Sequence, residues 1–85
     1  MSEIPPQLRW ACRRGMLELD VLLGNYLNEV YPKADSREQA LFVKLLDQSD
    51  QDLFEWLTDK KQATDPEIEI MVKKIREHAR TRARS

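Results

Sequence analysis

The sequence holds one cysteine, Cys12, and one histidine, His78. A lone cysteine forms no intramolecular disulfide, and the two residues together make no zinc set. Such sparing use of cysteine suits a reducing compartment. No stretch nears the roughly 18 consecutive apolar residues of a membrane-spanning helix, so membrane insertion is not expected. The opening MSEIPPQLRW has neither the apolar core of a secretory signal nor the Arg/Ser-rich character of a transit peptide, and a cytoplasmic protein is expected. Strand signals are weak, because β-branched residues are scattered and no run alternates apolar with polar. With two glycines there is no phosphate loop and no dinucleotide fingerprint, so tight FAD binding by the chain itself is not expected. No nucleophile–base pair is evident, and Glu18 and Asp20, two apart on a helix, diverge. An enzyme is therefore not expected. A formal net charge of −1 gives no overall field favouring nucleic acid.

What the sequence does contain is helix. Its 85 residues suit one small domain, 1–85, burying only about 60–65% of the surface its unfolded chain exposes. Five helices are expected, packed as a compact all-α bundle. The first spans about 6–13; Pro6 opens it, where a missing N–H costs nothing, and Gly15 closes it in a left-handed conformation. The second spans about 16–31. Leu19, Leu22, Leu23, Tyr26, Leu27 and Val30 form its stripe, and Pro32 stops it. Gly24 lies inside this helix at a cost of about 1 kcal/mol against alanine; close approach of another helix would explain it.

The third helix starts at Asp35 or Ser36, with Ser36 and Gln39 spaced as a capping box. It buries Leu41, Phe42, Leu45 and Leu46. A short fourth, capped by Ser49 or Asp50, turns Leu53, Phe54 and Leu57 inward. The fifth starts at Asp65-Pro66-Glu67, which supplies a cap, a first-turn proline and an acid at the positive end of the dipole. Ile68, Met71, Val72, Ile75 and Ala79 line it, and its basic end is expected to fray from about residue 80. Short connections favour antiparallel neighbours.

The stretch RRGMLELD, residues 13–20, crowds two arginines, a glycine and two acids at the first helix junction. In purely structural terms Gly15 is a cap, Glu18 suits a helix N-terminus, and Arg14 forms a surface ion pair with Glu18 worth at most about 1 kcal/mol. Spacing adds to this. Glu18 lies about 100° from the centre of the apolar stripe and Asp20 on the opposite flank. Glu18 is thus expected beside Arg14 on a shared rim. With Trp10, Arg13, Met16 and Asp20 the corner has the composition of a protein-interaction hot spot, and the arginine fork suits a partner's carboxylates or carbonyls. Were Arg14 and Glu18 both shielded inside the bundle and spent only on internal contacts, this reading would have no surface to act through. Phe54 and Trp56 fit a core better than an exposed site. Cys12 fits a small buried hydrophobe, and His78 a solvated helix position.

The run WACRRGMLELD, residues 10–20, resembles the signature of the SdhE family. These are the FAD assembly factors of succinate dehydrogenase, known in mitochondria as succinate dehydrogenase assembly factor 2. The family's RGxxE motif falls on Arg14, Gly15 and Glu18, and a second family-like stretch, DQDLFEWL, covers residues 50–57. The resemblance spans about residues 8–77. It implies a five-helix bundle that binds the flavoprotein subunit of succinate dehydrogenase, and in some bacteria that of fumarate reductase. It further implies a chaperone that promotes covalent attachment of FAD to a histidine of that client. The FAD belongs to the client, and the factor is expected to be a monomer when free. Arg14, Gly15 and Glu18 would dock, with Trp10, Arg13, Met16 and Asp20 completing the patch. The rival reading is a nucleic-acid-binding or regulatory protein using the basic face of Lys73, Lys74, Arg76, Arg80, Arg82 and Arg84. Cations near a helix C-terminus also match the dipole without any partner.

Overall fold

The computed structural model describes residues 4–84. Five α-helices and one 3₁₀ turn follow in order: α1 is Pro6–Ala11, α2 is Leu17–Glu29, the 3₁₀ turn is Tyr31–Lys33, α3 is Ser36–Leu46, α4 is Asp50–Leu57 and α5 is Pro66–Arg84. No strand occurs among the described residues. The chain is the all-α, five-helix bundle expected.

The helix ends show where local signals held and where they slipped. α1 stops two residues early, its end marked by Cys12, which is still right-handed, and by the Arg13 N–H on the Trp10 carbonyl at 3.0 Å. Gly15 does adopt a left-handed φ of +84°. It does so as the bend before Met16, the N-cap of α2, and not as the residue closing α1. α2 ends at Glu29, and Pro32 is absorbed into the 3₁₀ turn. The cap of α3 is Asp35, one residue upstream of the expected box; its Oδ1 accepts the Glu38 N–H at 2.8 Å. Gln39 instead donates to the Tyr31 carbonyl at 2.8 Å, tying α3 to the 3₁₀ turn. Ser49 caps α4 by accepting the Asp52 N–H, and Asp65 caps α5 by accepting the Glu67 N–H. Lys44 bridges the end of α3 to Asp65 and Glu67 at the start of α5, at 3.1 and 2.8 Å. That hydrogen bond is the main reason the Asp65 carboxyl is held below its usual range.

α5 packs across α2, α3 and α4. The buried set is the expected one at Leu19, Leu23, Tyr26, Leu27, Phe42, Leu45, Leu53, Met71, Val72 and Ile75, joined by Ala63 from the loop before α5. The Tyr26 ring stacks on Phe42 with centroids 5.3 Å apart. Leu22, Val30, Leu41, Phe54 and Trp56 are half-buried against this cluster. The neighbour expected at Gly24 is absent: a Cβ placed there would meet nothing within 4 Å.

α5 runs through Arg84; Ser85 lies outside the described residues. Glu29 at the end of α2 anchors this stretch. It accepts Arg82 Nε at 2.9 and 3.0 Å and shares a 2.9 Å hydrogen bond with His78 Nε2. The Arg82 bond leads the effects holding the Glu29 carboxyl below its usual range. His78 is not the solvated residue expected; its side chain is 16% exposed, with the ring edge-on to Tyr26 at 5.7 Å. Among the described residues no helix is long and apolar enough to cross a membrane.

Candidate functional site

The residues singled out at the first helix junction divide into an inner and an outer group. Arg14 belongs to the inner one, with 15% of its side chain exposed. Its Nε donates to Asp50 Oδ1 at 2.7 Å, and its Nη1 to the carbonyls of Ala11 at 2.8 Å and Leu46 at 3.1 Å. Its Nη2 donates to the Gln48 carbonyl at 2.5 Å. Those carbonyls lie where α1 and α3 run out, and the last carbonyls of a helix lack intrahelical donors. A guanidinium matches them with a planar fork of donors and a charge suited to the negative helix end. This arrangement replaces the surface ion pair expected with Glu18. Arg14 thus joins the α1–α2 junction, the C-terminus of α3 and the N-terminus of α4 through one side chain.

Asp20 is also inner. It is half-buried, and its Oδ1 accepts the Arg14 backbone N–H at 2.7 Å, closing the bend around Gly15. Met16 packs half-buried against the core. Cys12 is 3% exposed beneath the corner, with its Sγ 3.9 Å from the Leu23 carbonyl oxygen. Burial pushes its thiol up to about 11, against the opposing pull of Arg14. A thiol so placed stays protonated and shielded. At pH 8 Cys12 should resist alkylation by iodoacetamide in the native protein and react promptly in guanidinium chloride. Rapid labelling of the native protein would contradict its burial.

The outer group is Trp10, Arg13, Gly15, Leu17, Glu18 and Val21. Trp10 is 74% exposed, Leu17 81% and Val21 50%. Glu18 is exposed, and its side chain has no hydrogen-bond or ion-pair partner among the described residues. Arg13 is likewise exposed and shares a hollow with Arg9 and Trp10. Leu17 and Val21 were missed from the sequence, although a signal exists. Residues 17, 21, 24 and 28 fall at i, i+4, i+7 and i+11, a second ridge of α2 turned away from the buried stripe. Two large apolar residues exposed on one ridge of a surface helix are informative, because such residues mark candidate contact surfaces.

The basic C-terminal face is largely neutralised. Lys74 pairs with Glu38 at 3.0 Å, Arg76 with Asp59 at 3.2 Å, Arg80 with Glu77 at 3.0 Å and Arg82 with Glu29 at 2.9 Å. Four of its six cations are thus matched, so it offers far less free positive charge than the sequence suggests. No cluster of three or more His, Cys, Asp or Glu residues able to hold a metal ion occurs among the described residues.

Known proteins share this architecture and sequence. An FAD assembly factor SdhE of Pseudomonas aeruginosa is 48% identical over 69 residues, which cover 81% of this chain and 82% of the relative. One from Shewanella oneidensis is 42% identical over 73 residues, covering 86% of this chain and 89% of the relative. The solution structure of a UPF0350 protein matches with a TM-score of 0.73 and 38% identity, over 92% of this chain and 83% of that one. The family described as the flavinator of succinate dehydrogenase matches residues 6–79. With the match running from the first turn of α1 to the last third of α5, the chain belongs to the succinate dehydrogenase flavinator family.

Proposed function

We propose that the chain is an FAD assembly factor that docks through its outer corner on the flavoprotein subunit of succinate dehydrogenase. There it promotes covalent attachment of FAD to a histidine of that client; the flavoprotein of fumarate reductase is a second candidate client. The observation that carries this reading is the exposed Glu18 in the first turn of α2, without a side-chain partner among the described residues, next to the exposed Leu17 and three residues beyond Gly15. Family membership and the names of the relatives support the identity of the client.

The FAD belongs to the client and supplies the reactive chemistry. This chain contributes orientation. Holding the client's loops in a near-attack arrangement lowers the entropic cost of bringing its histidine to the flavin. Within that division Glu18, Arg13, Trp10 and Leu17 contact the client, and Gly15 lets its backbone approach. Arg14 is a positioning residue. Its bonds to Asp50 and to the carbonyls of Ala11, Leu46 and Gln48 keep the bend in register, so the outer groups are preorganised before docking. A non-catalytic role follows, because the bond forms within the client.

The test is co-expression of the client subunit with and without this chain, followed by flavin fluorescence of the client band on a denaturing gel. The fluorescence should rise with the chain present. Equal fluorescence in both lanes refutes the proposal.

A further inference from the structure

A groove between α1 and α2 lies beside the corner. Arg9, Cys12, Arg13, Asp20, Val21 and Gly24 shape it, and its volume is about 420 Å³. Resting on the docking reading above, we propose that this groove receives an extended segment of the client: an aliphatic side chain over Gly24, with a flanking carboxylate between Arg9 and Arg13.

Gly24 carries the first half. A glycine inside a helix costs about 1 kcal/mol relative to alanine. Nothing in the free protein requires one here. Its φ is not positive, and an added Cβ would meet no atom within 4 Å. The residue leaves a notch in the α2 ridge, between Val21, half of whose surface is exposed, and Asn28. Leu27 and Cys12, both buried, supply apolar wall behind the notch. An open notch with an aliphatic flank suits an apolar side chain from outside.

Charge carries the second half. The Arg13 guanidinium has no acid partner among the described residues. Arg9 spans the groove to a neutral acceptor, with Nη1 3.2 Å from Asn28 Oδ1, and has no acid partner among the described residues. Asp20 is the opposing charge, and its Oδ1 is committed to the Arg14 N–H. Two arginines against one engaged carboxylate leave the rim positive, and guanidinium forks bind carboxylates bidentately.

The test titrates the purified chain with the succinate dehydrogenase flavoprotein subunit of the same organism, prepared without this chain, and measures affinity by calorimetry. Gly24→Leu fills the notch while improving helix propensity. Its melting temperature should equal or exceed that of the parent, and its affinity should fall by about tenfold or more. Arg13→Glu should weaken binding similarly, and more steeply at low salt than at high. Affinity of Gly24→Leu within twofold of the parent overturns the groove. If Glu18→Ala weakens binding while Gly24→Leu does not, the groove falls and the docking corner stands. If the parent chain itself does not bind the subunit, both fall.

Discussion

Replacing Arg14 with alanine should lower the unfolding free energy by about 2–4 kcal/mol. The change removes the Arg14–Asp50 pair and takes the donor from three carbonyls, those of Ala11, Leu46 and Gln48. Leaving part-buried acceptors without their donor costs more than the bonds contribute on average. A domain of this length has only about 4–13 kcal/mol in reserve, so the loss is large, and the melting temperature should drop by roughly 10–25 °C. Arg14→Lys should recover little, because an ammonium on a flexible stem does not reproduce the planar fork. Asp50→Asn should cost under about 1 kcal/mol, since half of the Asp50 side chain is exposed. Urea unfolding followed by circular dichroism reads all three. A loss below about 1 kcal/mol for Arg14→Ala would contradict the clamp.

Glu18 should behave in the opposite way. Its side chain has no partner among the described residues, so Glu18→Ala should change stability by no more than about 0.5 kcal/mol. Covalent flavin in the client should nevertheless fall by about tenfold or more, the size expected of an interface hot spot. Gly15 separates the two effects further. At φ +84° any L side chain is strained, by about 1–2 kcal/mol. Beyond the backbone there is open space, with nothing within 4 Å of an added Cβ. Gly15→Ala therefore carries the strain without the bulk, and Gly15→Arg carries both. The arginine variant should stay helical and lose covalent flavinylation, while the alanine variant keeps more of it at similar stability. Equal flavinylation by the two would show that strain, rather than approach of the client, explains the glycine.

These contrasts follow the line between what the sequence discloses and what it hides. Helical periodicity placed Leu19, Leu23, Tyr26, Leu27, Phe42, Leu45, Met71 and Ile75 in the core, because a 3.6-residue repeat is a local property. Caps at Ser49 and Asp65 were legible for the same reason, and Asp35 displaced Ser36 by one residue only. The inward turn of Arg14 was not legible. Three of its four side-chain acceptors, on Leu46, Gln48 and Asp50, lie more than thirty residues away, and no local rule pairs them with it. His78 was misplaced for a similar reason, since Glu29 and Tyr26 reach it from α2. Gly24 showed the reverse error. The sequence marks its cost and suggests close approach of another helix, where the structure leaves a notch. At the corner itself, sequence identified the composition but not the division of labour. Arg14 holds the bend, and Glu18 has no side-chain partner among the described residues.

Site-specific photo-crosslinking tests the docking corner most directly. A photoreactive residue is placed at position 18, and another at position 70, where Ile70 is 46% exposed beside Arg37 and Leu41 on the α3–α5 side. Each variant is irradiated with the succinate dehydrogenase flavoprotein subunit. Position 18 should yield the crosslinked pair and position 70 should not. A crosslink from position 70 with none from position 18 would place the client on another face and contradict the corner as the site of action.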